Sequence, residues 1–259
     1  MQVSLVSYTQ NAVELLIFTK ATRLKMSPAL LTEITAMTPE QKQAELDYMR
    51  GTIQSSWEFV DFVFLLEGVS RAFTHQLVRH RHNSYAQQAQ RAVDMTGFDY
   101  VTGPSIERDE SNKIVYDDAM ADISEIYQTL IAMGANKQDA RGVLPTNIST
   151  NIIVKANLRS LHDMALKRLC VKAQGEAQDV FRAMVAEVLK VYPQFKDWLK
   201  VWCATYGTCC FPTFPVADCP VKTVVYDPVT QQAYGGGKPG PLSMIEFIHG
   251  QRRAEAQPG

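Results

Sequence analysis

Hydrophobic positions change period several times along the chain, and each change marks an element. Residues 3 to 8 alternate as a strand does, and Asn11 is placed to cap the helix that follows. Residues 39 to 50, opened by Pro39 and then largely polar, predict an exposed helix. Residues 59 to 67 predict a strand. Val60, Phe62, Phe64 and Leu66 take one face; Phe59, Val63 and Leu65 share the other with Asp61 and Glu67. Apolar residues on both faces imply a strand covered on two sides. Residues 68 to about 79 then move to helical spacing, with Val69, Ala72, Phe73 and Leu77 on one stripe.

Residues 103 to 115 are polar and contain Gly103 and Pro104, which predicts a loop. Asp117 or Asp118 is then in place to cap a helix built on Met120, Ile123, Ile126, Tyr127, Leu130 and Met133 and stopped at Gly134. A short helical turn ends before Pro145, and residues 149 to 156 predict another strand. Asn157 caps a helix reaching about Leu169. Residues 174 to 191 form a further helix on the stripe Ala177, Val180, Phe181, Met184, Val185 and Val188. This order suits an α+β fold, a mixed or antiparallel sheet flanked by helices, in one domain over residues 1–220. Residues 221–259 read as an irregular C-terminal extension. Its Gly235-Gly236-Gly237-Lys238-Pro239-Gly240-Pro241 stretch is a connector, because a phosphate loop needs a strand–loop–helix setting that is missing here.

Composition narrows the function classes. The 259 residues are 46% hydrophobic and 20% charged, with a net charge of −1, which is ordinary for a globular chain. So neutral a chain lacks the electrostatic footprint of a general nucleic-acid binder, and any basic site must be local. No apolar run is long enough to span a membrane, and the first residues carry no signal-peptide pattern. Five cysteines without an export signal point to reduced thiols in a cytoplasm. Cys203, Cys209, Cys210 and Cys219 crowd one stretch, but their spacing lacks the paired pattern of a structural zinc site, and ordinary thiols are the expectation.

The most unusual stretch is residues 76 to 91, which hold three arginines, two histidines and several glutamines with no carboxylate. A charge run of this kind is often a solvated loop. Arginine and glutamine in alternation also offer forked donors and two-way amides suited to phosphates and nucleobase edges. A second segment adds to this. On the helix capped by Asn157, residues Leu161, Met164, Ala165 and Arg168 share one face, so Arg168 lies in an apolar stripe. A buried guanidinium keeps its charge and needs a carboxylate or a ligand anion as partner. Arg159 and Asp163, one turn apart, are placed to pair with each other.

Arg79-His80-Arg81, then Ser84-Tyr85, Gln87-Gln88 and Arg91, resembles the signature of flavin-dependent thymidylate synthases, an Arg-His-Arg triplet followed by a serine and an arginine at fixed spacing. Gly68-Val69-Ser70-Arg71-Ala72 and His75-Gln76-Leu77-Val78 resemble the family's approach to that triplet. So does a second block, Leu144-Pro145, Asn157-Leu158-Arg159-Ser160-Leu161, Arg168 and Ala173-Gln174-x-Glu176. The resemblance covers about residues 45 to 190. It implies FAD as cofactor, dUMP as substrate, methylenetetrahydrofolate as carbon donor and NADPH as reductant. It also implies a homotetramer with shared active sites, with no nucleic acid and no membrane among its partners. By resemblance, Ser55, Arg79, His80, Arg81, Gln87, Asn157, Arg159 and Asp163 hold FAD. Gln76, Arg79, Gln87, Gln88, Ala89, Gln90, Arg91, Asn151 and Arg168 line the dUMP site, and Arg168 favours the ionised, electron-rich uracil.

The chain departs from the family's pattern at several points. The motif serine is Ala89, a tyrosine is Ala92, two histidines are Ile53 and Phe59, and a pocket arginine is Asn151. These departures leave a flavin-dependent pyrimidine nucleotide hydroxymethylase as an alternative product class. A non-catalytic nucleotide or nucleic-acid binder is the alternative from a different class. Weaker signals remain: His162 is placed either to reach the flavin or on the surface, and Trp57, Trp198 and Trp202 suit core or interface.

Overall fold

The computed structural model describes residues 1–23, 27–207, 209, 210 and 219, together with the backbone of 225–226 and 233–234. The chain begins with β1 (Gln2–Tyr8), α1 (Ala12–Ala21), α2 (Leu30–Thr35) and α3 (Pro39–Thr52), followed by a 3-10 turn at Gln54–Phe59. Next come β2 (Asp61–Ser70), α4 (Arg71–Leu77), β3 (Ser84–Gln87), α5 (Pro104–Glu107), α6 (Glu110–Ala132) and α7 (Lys137–Ala140). After a 3-10 turn at Arg141–Val143 come β4 (Ser149–Asn157), α8 (Leu158–Arg168), α9 (Gly175–Val191), a 3-10 turn at Pro193–Asp197 and α10 (Trp202–Tyr206). The short strands β5 (Val225–Tyr226) and β6 (Ala233–Tyr234) pair antiparallel. Otherwise residues 221–259, including the glycine-rich connector and His249, lie outside the described residues.

Two compact units divide the chain. The first, Met1–Val6 with Val63–Lys155, is organised on a four-stranded sheet of order β1-β2-β4-β3. The predicted alternation of β2 holds: Phe64 and Leu66 are fully buried, while Val63, Leu65 and Glu67 are half-covered. The strand runs on past Gly68 (φ +65) to Ser70, so the expected helix start at residue 68 is corrected to Arg71. Ser70 then caps α4, its Oγ accepting from the Phe73 backbone N–H at 3.0 Å. The predicted strand start at Phe59 is corrected, since that residue closes a 3-10 turn and is 59% exposed.

The polar stretch at 103 to 115 is not a loop. Pro104 opens α5, and the Asp109 carboxylate accepts from the Ser111 and Asn112 backbone N–H groups to start α6, well before the predicted cap. Asp117 instead lies inside α6 and accepts from the Tyr100 hydroxyl at 2.6 Å. That hydrogen bond pushes the Tyr100 phenol up to about 12. The polarity misled because α6 buries little: Met120 and Tyr127 face inward, and Tyr127 joins Met95, Ala140 and Ile148 in a small core.

The second unit, Ser7–Phe62 with Ala156–Gly259, is helical. All six stripe residues of α9 are buried, and the five larger than Ala177 each contribute about 1.5–3 kcal/mol, enough to fix the helix face. Trp57 and Trp198 are core, with ring centroids 4.5 Å apart. Thr38 starts α3 through a capping box with Gln41, and that helix is anchored by buried Leu46 and Met49 rather than exposed throughout. Asn11 precedes α1 in the left-handed conformation (φ 52), and its side chain makes no cap hydrogen bond. Its predicted capping role is therefore corrected. The Ala12 N–H is met instead by the Tyr192 hydroxyl at 3.2 Å.

Candidate functional site

In the first unit the arginine-rich segment is a pinned turn between α4 and β3. The Arg79, His80 and Asn83 backbone N–H groups bond to the carbonyls of Gln76, Leu77 and His80. The Tyr85 hydroxyl sits within 2.8 Å of the Leu77 carbonyl and 2.9 Å of the His80 carbonyl, so its one hydrogen is shared between them, and it accepts from Asn83 Nδ2 at 3.1 Å. Burial pushes the Tyr85 phenol up, keeping it a neutral donor. Register then sets the following residues: Tyr85 pairs with Val154 and Gln87 with Ile152, and the Gln88 N–H reaches the Asn151 carbonyl at 3.0 Å. Beyond the strand the Ala89 carbonyl accepts from Ala92 and Val93, so the chain turns helically there.

This scaffold presents charge without neutralising it. Arg79, Arg81 and Arg91 are exposed, and none has a hydrogen-bond or ion-pair partner for its guanidinium among the described residues. Gln88 and Ala89 are exposed beside them; His80, Gln76 and Gln87 are half-buried. Gln90 is half-buried too, and its Nε2 is shut off from solvent with no acceptor. An enclosed amide donor without a partner is costly unless a ligand meets it. Asn151 spends its Oδ1 on the Gly68 N–H at 3.0 Å and keeps its amide nitrogen for other contacts.

The second unit carries the other predicted residues. Asn157 caps α8 as expected, its Oδ1 accepting from the Ser160 N–H at 2.8 Å. Leu161, Met164 and Ala165 are fully buried. Arg168 is half-buried at the helix end, where its charge complements the macrodipole, and burial lowers its pKa. The expected Arg159–Asp163 pair does not form: Arg159 donates to Glu58 Oε1 at 2.6 Å, leaving Asp163 exposed. The turn before β2 brings Glu58 closer than a residue on the same helix. Ser55 accepts from the Arg23 guanidinium at 2.8 Å. His162 is neither on the surface nor free. It is buried, its Nδ1 on the Trp198 carbonyl and its ring perpendicular to Trp57 at 5.0 Å.

Sequence reasoning missed Thr74, Glu58 and the role of Tyr85. Tyr85 was visible inside the motif, but only the fold shows that its hydroxyl closes the turn. A cleft of about 930 Å³ lined by Tyr8, Asn11, Glu14, Lys42 and Tyr192 contains none of the predicted residues. Among the described residues no cluster is arranged to hold a metal ion, and no helix is long and apolar enough to cross a membrane. None of the five cysteines forms a disulfide, and burial pushes Cys203 up to about 12.

A family model described as thymidylate synthase complementing protein matches residues 4–194. A flavin-dependent thymidylate synthase of Clostridium tetani is 33% identical over 226 residues, covering 80% of this chain and 90% of the relative. The chain belongs to the flavin-dependent thymidylate synthases. Another such enzyme, from Geobacter sulfurreducens, is 41% identical over 140 residues, covering 53% of this chain and 59% of the relative. The fold is similar to thymidylate synthase X from Helicobacter pylori, solved with FAD and dUMP, with a TM-score of 0.59 and 19% identity, covering 77% of this chain and 97% of that one. The family's triplet thus falls on a pinned turn, and the Asn157–Arg168 part of its second block on a capped helix.

The donor set fits a phosphate-bearing, flavin-containing ligand. Three guanidiniums without partners among the described residues suit anionic oxygens, and the orphaned Gln90 amide suits a carbonyl or phosphate acceptor. Arg159, by contrast, must leave or share Glu58 to serve a ligand.

Proposed function

We propose that this chain performs the reductive methylation of dUMP to dTMP, with FAD as cofactor, methylenetetrahydrofolate as carbon donor and NADPH as reductant. One observation carries this reading: on the segment that matches the family's signature, Arg79, Arg81 and Arg91 stand exposed without a counter-charge among the described residues. Their role is to hold the nucleotide phosphate and the cofactor, with Gln76, Gln88, Ala89, Gln90 and Asn151 lining the nucleotide site. Ser55, His80, Asn157, Arg159 and Asp163 join Arg79, Arg81 and Gln87 in holding the flavin. Arg168 places a fixed cation beside the pyrimidine, where it stabilises the negative charge that makes carbon 5 nucleophilic. FAD, when bound, supplies the hydride chemistry, and the protein orients it. Ala89 has no hydroxyl, so no nucleophilic attack on the pyrimidine starts from that position.

The working unit in this reading is a homotetramer with active sites shared between subunits, since exposed arginines with no carboxylate on their own segment are completed by ligand and neighbour. The setting is cytoplasmic, where five cysteines outside any disulfide stay reduced.

The test is product identity. The purified chain, incubated with dUMP, NADPH and methylenetetrahydrofolate, is expected to be yellow and to yield dTMP by mass spectrometry. A product one oxygen heavier than dTMP replaces methylation with hydroxymethylation on the same scaffold. A colourless protein with salt-sensitive affinity for oligonucleotides overturns the enzymatic reading.

A further inference from the structure

Thr74, on the buried side of α4, is 1% exposed, and its hydroxyl donates to the Arg71 carbonyl at 3.0 Å. With that single hydrogen committed, Oγ1 can only accept, and it does so from Gln87 Nε2 at 3.0 Å. A flipped Gln87 amide would be met only by turning the Thr74 hydrogen away from the Arg71 carbonyl, at the loss of that hydrogen bond. The Gln87 side chain is thus held with its nitrogen on Thr74, leaving the carbonyl Oε1 and one N–H, neither of which has a partner among the described residues. The backbone cannot re-aim it, because Gln87 pairs in register with Ile152 and Gln88 is tied to Asn151.

We propose that Thr74 is a positioning residue that fixes Gln87 as the hydrogen-bond acceptor for the imide N–H of a bound ring. Uracil and isoalloxazine share that chemistry, an N–H flanked by two carbonyls, and a held amide offers it an acceptor with a donor on the same group. A freely rotating glutamine would present either end equally well and would not distinguish an imide from a ring with an acceptor in its place. The inference rests on Gln87 being a ligand contact, as proposed above, and it adds the residue that orients it and the group it recognises.

The experiment compares the full-length protein with T74V and T74S, measuring FAD affinity by flavin fluorescence, dUMP affinity on the FAD-loaded protein by calorimetry, and melting temperature separately. T74V keeps the side chain's shape but removes the acceptor. It is expected to weaken one of the two ligands about tenfold, the scale of one orienting hydrogen bond, while T74S restores it. Loss on the dUMP arm assigns the contact to the uracil, and loss on the FAD arm to the flavin ring. Wild-type affinity for both ligands in T74V overturns the inference and leaves the family reaction untouched. A wild-type protein that binds neither ligand overturns the site reading and this inference with it. Should T74V fail to fold, Q87M, which leaves Thr74 in place, must show the same selective loss; equal binding by Q87M overturns the proposal.

Discussion

The two arginine-bearing segments are built in opposite ways. Residues 79–91 form an exposed turn whose backbone is pinned from within by Tyr85 and by pairing with β4, while Arg79, Arg81 and Arg91 are left without partners among the described residues. In α8 the helix itself is secured by a cap and a buried face, Arg159 is already engaged by Glu58, and Arg168 lies half-buried at the end of an apolar stripe. The difference separates two tasks. An exposed, unpaired guanidinium costs the folded state little and is available to a ligand at once. A half-buried one is held in place, so it can act on charge that develops at a defined position. In the proposed reaction the first segment would serve binding and the second activation.

That contrast breaks most readily at Arg168. Arg168→Gln is expected to lower kcat about 10²-fold, the scale of losing one preorganised donor, with a smaller change in dUMP affinity. An unchanged kcat removes the activating role of α8. Next comes Arg91→Ala, which should weaken dUMP binding about tenfold and flatten its salt dependence without lowering the melting temperature, because no hydrogen bond or ion pair among the described residues is lost. A fall in stability there means the guanidinium has a structural duty. Asn157→Ala takes away the cap of α8 and should cost about 1 kcal/mol in denaturant unfolding, read as a lower midpoint at unchanged slope. The smallest effect is expected from Glu58→Ala. The Arg159–Glu58 pair is roughly half exposed on both sides, so stability should move by no more than about 0.5 kcal/mol. Tighter FAD binding in that variant would show that the pair competes with the ligand.

Much of the helical unit was legible in the chain. The α9 stripe and the Asn157 cap are local patterns, and both were read correctly because the residues concerned are near neighbours in sequence. Failures came where a distant partner decided. Asp117 looked like a cap but is claimed by Tyr100, Arg159 looked paired with Asp163 but is claimed by Glu58, and His162 is drawn inward by the Trp198 carbonyl. Asn11 carries a good capping side chain, yet a left-handed backbone turns it out of range.

The sequence by itself determined the strands β1, β2 and β4, the buried stripes and the two motif blocks, since each depends on spacing along a helix or strand. Only the tertiary structure decided which polar side chains are spent and which remain available. Thr74 and Gln87 are thirteen positions apart, and a single hydroxyl hydrogen directed to the Arg71 carbonyl settles which end of the Gln87 amide is left for a ligand. Hydrogen-bond capacity is finite at every atom, so availability is fixed by all the neighbours a fold assembles, and periodicity carries no record of them.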